Sequence, residues 1–139
     1  EAARLGATRV GHGVHLVDGL RDPARRHLVD EVIARGVHLE VCPTSNVHTG
    51  AATSIAAHPI TELWSAGVSL SYHTDNTLMS CITHSGEAEA LLRETSLTAS
   101  DLVRMGLQAA QHSFLPKAQR EAAIARLRAW AQAEGLALG

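Results

Sequence analysis

Aromatic residues, cysteine and clustered positive charge are all scarce in this chain of 139 residues. Aromatics make up 3% of it, and its 12 lysines and arginines are scattered along a chain of net charge -2. Proteins that bind nucleic acids concentrate positive charge against phosphates and stack aromatic rings on bases, so we expect no nucleic-acid partner. No hydrophobic run reaches the roughly 18 residues that cross a bilayer, which argues against a membrane partner.

The two cysteines, Cys42 and Cys81, lie far apart and have neither metal-binding nor redox spacing. We therefore expect reduced thiols, no disulfide partner and a cytoplasmic location. What remains is the composition of an ordinary globular domain, 45% hydrophobic and 19% charged. Its one enrichment is in histidine, with nine residues, and histidine is the commonest metal ligand and proton shuttle near neutral pH.

A short β-rich run, a polar loop and an amphipathic helix recur along the chain. Strands are predicted over residues 8–16, 37–42 and 68–72, and residues 44–58 are predicted to form a loop. Helix-start patterns occur at five places, which are Asp22-Pro23, Pro59, Thr83, Thr98 and Lys117. Gly36 and Gly67 are predicted to end two of these helices.

Alternating strands and helices indicate parallel strands joined by right-handed crossovers, which fits a doubly wound sheet or a β/α barrel. A (β/α)₈ barrel takes about 250 residues, roughly 31 per unit, so three units cannot close one. Three parallel strands alone would leave two open edges, which proteins normally cover. The chain also begins without methionine, and we expect it to be a segment of a longer α/β protein.

Polar residues gather where each predicted strand ends, which is the edge where α/β proteins place functional groups. The three clusters are Gly-His-Gly at residues 11–13, Cys-Pro-Thr-Ser-Asn at residues 42–46, and His-Thr-Asp-Asn at residues 73–76. Taken singly, His12 could mark a tight turn and Asp75 could cap a helix. Ser45 and Asn46 are expected to be ordinary loop residues. The convergence of three clusters on one edge favours a site.

Other titratable residues near these clusters have weaker claims. Glu40 lies within an apolar strand, where a carboxylate needs a partner; it could brace His12 or pair with Arg9, and we favour the ion pair. His15 follows His12 by three residues, which on a strand puts the two on opposite faces, so no shared metal is expected. His73 has no assigned role.

Four motifs, in this order and spacing, resemble those of the adenosine deaminase family. They are RVGHG at residues 9–13, LEVCPTSN at 39–46 followed by TG at 49–50, TD at 74–75, and SFLP at 113–116. The resemblance covers nearly the whole chain. It implies a partial barrel domain over residues 1–139, containing strands six to eight of a TIM (β/α)₈ barrel and the helices that follow them.

By this resemblance, Asp75 is the zinc-ligating aspartate of strand eight, and His12 is the catalytic histidine that holds and polarises the attacking water. Asn76 takes the position of a second aspartate, which binds purine N7, and its amide has the donor that this acceptor requires. The implied cofactor is Zn²⁺, which lowers the pKa of a bound water toward neutrality. The activated water then attacks C6 of the purine, and ammonia leaves.

The implied reaction is deamination of adenosine, and of deoxyadenosine, in purine salvage, with a purine nucleoside as the small-molecule partner. The family's other zinc ligands, a His-x-His pair and a further histidine, precede the first motif, as does its proton-donating glutamate. Catalytic zinc sites use at least three protein ligands. We therefore expect the 139-residue chain alone to bind no stoichiometric zinc and to be inactive.

Two alternatives stay open. A related deaminase acting on adenine or aminodeoxyfutalosine would share the metal chemistry, because the substrate-selecting residues lie mostly outside this segment. A non-catalytic α/β module would instead bind a small molecule or a partner protein. Such a module should be monomeric and unfold cooperatively without any upstream sequence.

Overall fold

Three short parallel strands form the centre of the computed structural model, which describes residues 3–138. They are β1 (Arg9–Gly11), β2 (His38–Val41) and β3 (Leu70–Tyr72), in the order β1-β2-β3. Leu39 of β2 lies opposite Val10 on one side and Leu70 on the other. The parallel sheet confirms the α/β class predicted from alternating strands and helices. Closure of these strands into a barrel stays a prediction.

Eight α-helices follow or separate the strands within the described residues. In chain order they are α1 (Val17–Arg21), α2 (Arg26–Ala34), α3 (Pro43–His48), α4 (Ile60–Ser65), α5 (Thr77–Ser80), α6 (His84–Glu94), α7 (Ala99–Gln111) and α8 (Lys117–Ala133). Among residues 3–138, no helix combines the length and the hydropathy that a bilayer span requires.

Two of the predicted helix starts, at Thr83 and Thr98, have side-chain caps. The Thr98 hydroxyl accepts a hydrogen bond from the Asp101 backbone N–H, and the Asp101 carboxylate accepts one from the Thr98 backbone N–H. This reciprocal capping box satisfies two donors that the first turn of α7 would otherwise leave free. Gly36 lies past the end of α2 with φ 62°, the left-handed conformation that glycine adopts without steric cost.

Three predicted boundaries are wrong. The first strand ends at Gly11 rather than at residue 16, because the chain turns at Gly13 (φ 65°) into a 3₁₀ helix, Val14–Leu16. Helix α2 begins at Arg26, and the Asp22 carboxylate caps the preceding turn by accepting from the Ala24 N–H at 2.9 Å. Most of α3, which begins at Pro43 shortly after β2, lies within the predicted loop over residues 44–58.

One face of the sheet packs against the helices through aliphatic side chains. Each of the following is at most 2% exposed: Val29, Leu39, Val41, Ile60, Leu63, Leu70 and Leu91. Burial of one such side chain contributes roughly 1.5–3 kcal/mol. This apolar layer joins β2 and β3 to α2, α4 and α6, and so fixes where the carboxyl ends of the strands lie.

The opposite face of the sheet is polar and is partly covered by the end of α7. His38 is 1% exposed, and its Nδ1 and Nε2 lie 2.9 Å and 2.8 Å from the hydroxyl oxygens of Ser69 and Ser71. The imidazole of His112 stacks on it at a centroid distance of 4.5 Å. Burial, with smaller contributions from neighbouring cationic groups, lowers the pKa of His38 to about 4.

This pKa predicts a pH dependence of stability. As the pH falls from 6.5 toward 4, His38 takes up a proton in the unfolded chain before it does so in the folded chain. The free energy of unfolding should therefore decrease as the pH falls through this window, by up to about 1.4 kcal/mol per pH unit for each such group. Urea unfolding at a series of pH values measures the slope.

His38→Gln should make that slope shallower, whereas His27→Gln, at an exposed position on α2, should leave it unchanged. His58, whose pKa is also lowered to about 4 by burial, should keep part of the slope in the His38 variant. An identical slope in the wild-type protein and His38→Gln would contradict the assignment.

Candidate active site

His12 and Asp75 come just after the carboxyl ends of β1 and β3, and both have left-handed backbone conformations. Their φ angles are 59° and 58°. A non-glycine residue in this region costs on the order of 1–3 kcal/mol, and such residues concentrate at functional sites. Gly13 supports the turn at His12, because a Cβ at that position would lie 2.8 Å from Cδ2 of Leu39.

The two side chains face each other across the end of β2. Nε2 of His12 lies 3.7 Å from Oδ2 of Asp75, and the side chains are 43% and 42% exposed. Both can therefore be reached from solvent. The structure brings together the two residues that the sequence predicted to meet, although their catalytic and metal-binding roles stay predictions.

Helix α3 lies between these two residues and contacts both of them. The Ser45 hydroxyl donates to Oδ2 of Asp75 at 2.7 Å, and Nδ2 of Asn46 lies 3.2 Å from Nδ1 of His12. Ser45 and Asn46 are 7% and 4% exposed. The prediction that they are ordinary loop residues is therefore wrong. The available signal was their place in the polar cluster that follows β2, because His12 and Asp75 lie in the clusters that follow β1 and β3.

A further buried residue, His58, completes a line of hydrogen bonds that leads to His12. Nε2 of His58 lies 3.2 Å from Oδ1 of Asn46. The Ile60 backbone N–H donates to Nδ1 of His58 at 3.1 Å. His58 is separated from Asn46 by 12 positions, and its identity as a site neighbour follows from no local sequence pattern.

Three side chains could offer ligand atoms to a metal ion here. One donor atom from each of His12, Cys42 and Asp75 lies within 4.8 Å of the others. Burial, reinforced by the negative charge of Asp75, raises the pKa of the Cys42 thiol to about 12, so Cys42 stays protonated near neutral pH when no metal is bound. The imidazole and the carboxylate fit zinc chemistry, and they form part of a site that needs at least three protein ligands.

The structure decides between the two interpretations of Glu40. Its carboxylate forms an ion pair with the Arg9 guanidinium, as favoured from the sequence, and does not brace His12. His73 is held at Nε2, 2.6 Å from the Ser71 hydroxyl, and burial lowers its pKa. The side chain of His15 is 83% exposed. It lies in a 3₁₀ helix rather than on the predicted strand, so the face argument made for it does not apply.

Asn76 is the N-cap of the short helix α5. Its Oδ1 accepts hydrogen bonds from the backbone N–H groups of Leu78 and Met79, at 3.1 Å and 3.0 Å. The side-chain oxygen is therefore already used within the protein. The amide NH₂ is the group of this exposed residue that is left for a ligand.

A cleft of about 610 Å³ opens beside these residues, within the size range of small-molecule sites. Its lining combines the polar residues His12, Ser45, Asn46 and Asp75 with aliphatic residues such as Val10 and Leu39. The combination suits a flat heterocycle with a few polar atoms.

Comparisons with known proteins identify a family by sequence. A family model described as adenosine deaminase matches residues 2–130. The adenosine deaminase of Mycobacterium sp. (strain JLS) is 39% identical over 127 residues, which is 88% of this chain and 35% of the relative. The chain thus spans about a third of the length of that relative.

Solved structures show the same fold. The adenine deaminase of Arthrobacter aurescens superposes with a TM-score of 0.81 at 22% identity, covering 90% of this chain and 36% of that one. The N6-methyl-AMP deaminase of Arabidopsis thaliana superposes with a TM-score of 0.73 at 19% identity, covering 91% of this chain and 35% of that one. At these identities the likeness establishes a shared α/β fold alone.

The contrast between the two cysteines gives a prediction. Because Cys42 is buried with a pKa near 12 and Cys81 is exposed, iodoacetamide at pH 8 should label Cys81 well before Cys42 in the native protein. Peptide-resolved mass spectrometry measures the two rates. In urea, which exposes Cys42, both cysteines should react. The folded Cys81→Ser variant should take up almost no label within residues 1–139. Equal native rates would contradict the protected thiol.

Proposed function

The chain belongs to the adenosine deaminase family, and from that membership we propose that it forms part of a zinc-dependent enzyme that deaminates adenosine and deoxyadenosine. Residues 1–139 would then be a segment of one barrel domain, with β1 to β3 as its sixth to eighth strands. Within residues 3–138 only β2 has a strand on both sides, so further strands are needed to cover the two edges. Two free thiols, Cys42 and Cys81, support a cytoplasmic location.

The observation that carries this proposal is the approach of His12 to Asp75. An imidazole and a carboxylate 3.7 Å apart, both solvent-accessible and both at the carboxyl edge of a parallel sheet, can act on one small reacting group. Asp75 would contribute one zinc ligand, and the remaining ligands would come from outside this chain. When bound, zinc supplies Lewis-acid activation of water near neutral pH.

The residues of this chain would position the water and the purine. His12 would hold the attacking water through Nε2, which faces Asp75. Ser45 would keep Oδ2 of Asp75 in place by its 2.7 Å hydrogen bond. Asn76 would donate from its NH₂ group to purine N7, because its oxygen caps α5. Addition of water oxygen at C6 and cleavage of the C6–N bond then release ammonia.

Substitution of the two central residues separates their roles. In the full-length protein, Asp75→Ala should abolish stoichiometric zinc binding because it removes a ligand. His12→Ala should retain zinc but lower kcat by roughly 10²- to 10³-fold, the range for loss of one donor that stabilises developing charge. Metal analysis and the release of ammonia from adenosine measure the two effects.

His27→Ala is the matched control, since His27 lies exposed on α2, and it should change neither quantity. Turnover close to wild type in His12→Ala would show that the role assigned to His12 is wrong. Retention of one tightly bound zinc by Asp75→Ala would do the same for Asp75.

The substrate is tested separately. Purine N7 is common to adenosine and adenine, so the contact proposed for Asn76 serves either, and groups that bind the sugar must select between them. We expect kcat/KM of the full-length protein to be highest for adenosine. A higher value for adenine or aminodeoxyfutalosine would reassign the substrate, and release of ammonia from none of the three would favour a non-catalytic module.

A further inference from the structure

The buried line of hydrogen bonds from Ile60 to His12 has a direction, because its first donor cannot be reversed. A backbone N–H only donates, so Nδ1 of His58, 3.1 Å from the Ile60 nitrogen, must be an unprotonated acceptor. Burial lowers the pKa of His58 to about 4, so near neutral pH its ring carries one proton. That proton must be on Nε2.

The proton on His58 then orients the Asn46 amide. Nε2–H of His58 donates to Oδ1 of Asn46 at 3.2 Å. The amide plane therefore presents its oxygen to His58 and its NH₂ group to His12. Asn46 is 4% exposed and His58 is also 4% exposed, so water does not compete freely for these groups.

We propose that Asn46 and His58 are positioning residues that hold neutral His12 in the tautomer with its proton on Nε2. Nδ2 of Asn46 donates to Nδ1 of His12 at 3.2 Å, and an acceptor at Nδ1 leaves Nε2 as the protonated nitrogen. Nε2 is the atom that faces Asp75. The inference assigns these two residues a part in the proposed function, and it rests on that function only for its kinetic consequence.

The consequence is that His12 presents an N–H donor at the reacting centre. A donor at Nε2 can bind the oxygen of the attacking water and stabilise the negative charge that develops on oxygen during addition to C6. With Nδ1 occupied by Asn46, the ring keeps one orientation as well as one tautomer. A histidine without this support would divide its population between two tautomers.

The tautomer of His12 can be determined directly by NMR spectroscopy. Histidine side chains are labelled with ¹⁵N in the zinc-free protein, and two-bond ¹H–¹⁵N correlation spectra identify which ring nitrogen carries the proton. The His12 signals are assigned by their loss in His12→Gln. In the wild-type protein near pH 7.5 we expect Nε2–H for both His12 and His58. A wild-type His12 protonated on Nδ1 would overturn the proposal without any need for a variant.

Asn46→Asp tests the cause with almost no change in shape. A carboxylate only accepts, so it should attract a proton to Nδ1 of His12 and shift the ring to the opposite tautomer. His58→Phe, which removes the donor to Asn46, should give a mixture of tautomers. Ser45→Ala is the control, because Ser45 contacts Asp75 rather than His12, and it should leave the tautomer unchanged. An unshifted tautomer in Asn46→Asp would overturn the role of Asn46.

Kinetics of the full-length protein complete the test. Asn46→Asp should lower kcat on the order of 10²-fold with a smaller change in KM or zinc content, because Asp75 and Asn76, the groups proposed to hold zinc and purine, are untouched. If Asn46→Asp reverses the tautomer of His12 but leaves kcat unchanged, the proposed effect of the tautomer on turnover is wrong. A wild-type protein that has the Nε2–H tautomer but deaminates no purine would refute the proposed function while leaving the positioning role in place.

Discussion

The site depends on backbone hydrogen bonds that extend the sheet ladder one residue beyond the strands. The His12 N–H donates to the carbonyl of Glu40 at 2.8 Å, and the His73 N–H donates to the carbonyl of Val41 at the same distance. Strand β2 therefore holds the segments that follow β1 and β3 up to the point where each turns toward the cleft. Because the side chains that meet there come from three separate segments, their meeting is a property of parallel pairing rather than of any local sequence.

The two faces of the sheet stabilise this arrangement in different ways. The apolar face gains free energy from burial, whereas the polar face needs a partner for each buried group. Most of its histidine nitrogens are accordingly used inside the protein, as in His38, with a serine at each ring nitrogen. His12 differs, since one nitrogen is held by Asn46 and the other faces an accessible carboxylate. Its position beside Asp75 at an accessible edge, rather than the abundance of histidine, distinguishes His12 from the histidines of the polar face.

The sequence was sufficient for the parallel sheet, the caps at Thr83 and Thr98 and the approach of His12 to Asp75, because each follows from periodicity, capping chemistry or the position of strand ends. It was insufficient for α3. Its residues Pro-Thr-Ser-Asn at 43–46 have low helix propensity, and the helix is stabilised by tertiary contacts such as the Thr44 N–H to Glu87 carboxylate bond of 2.8 Å. The contacts of Ser45, Asn46 and His58 could not be predicted for the same reason, since their partners are distant in sequence.

Asparagine suits position 46 because a residue that bridges His58 and His12 needs a donor and an acceptor in one rigid plane. The amide accepts from His58 and donates to His12. A hydroxyl can also do both, but it can rotate between partners and would fix neither ring. A carboxylate lacks the donor, and glutamine would lose more side-chain entropy on being held in place. The left-handed turn at His12 directs its ring to this amide at a conformational cost, and the part-buried hydrogen bond to Asn46 offsets part of that cost.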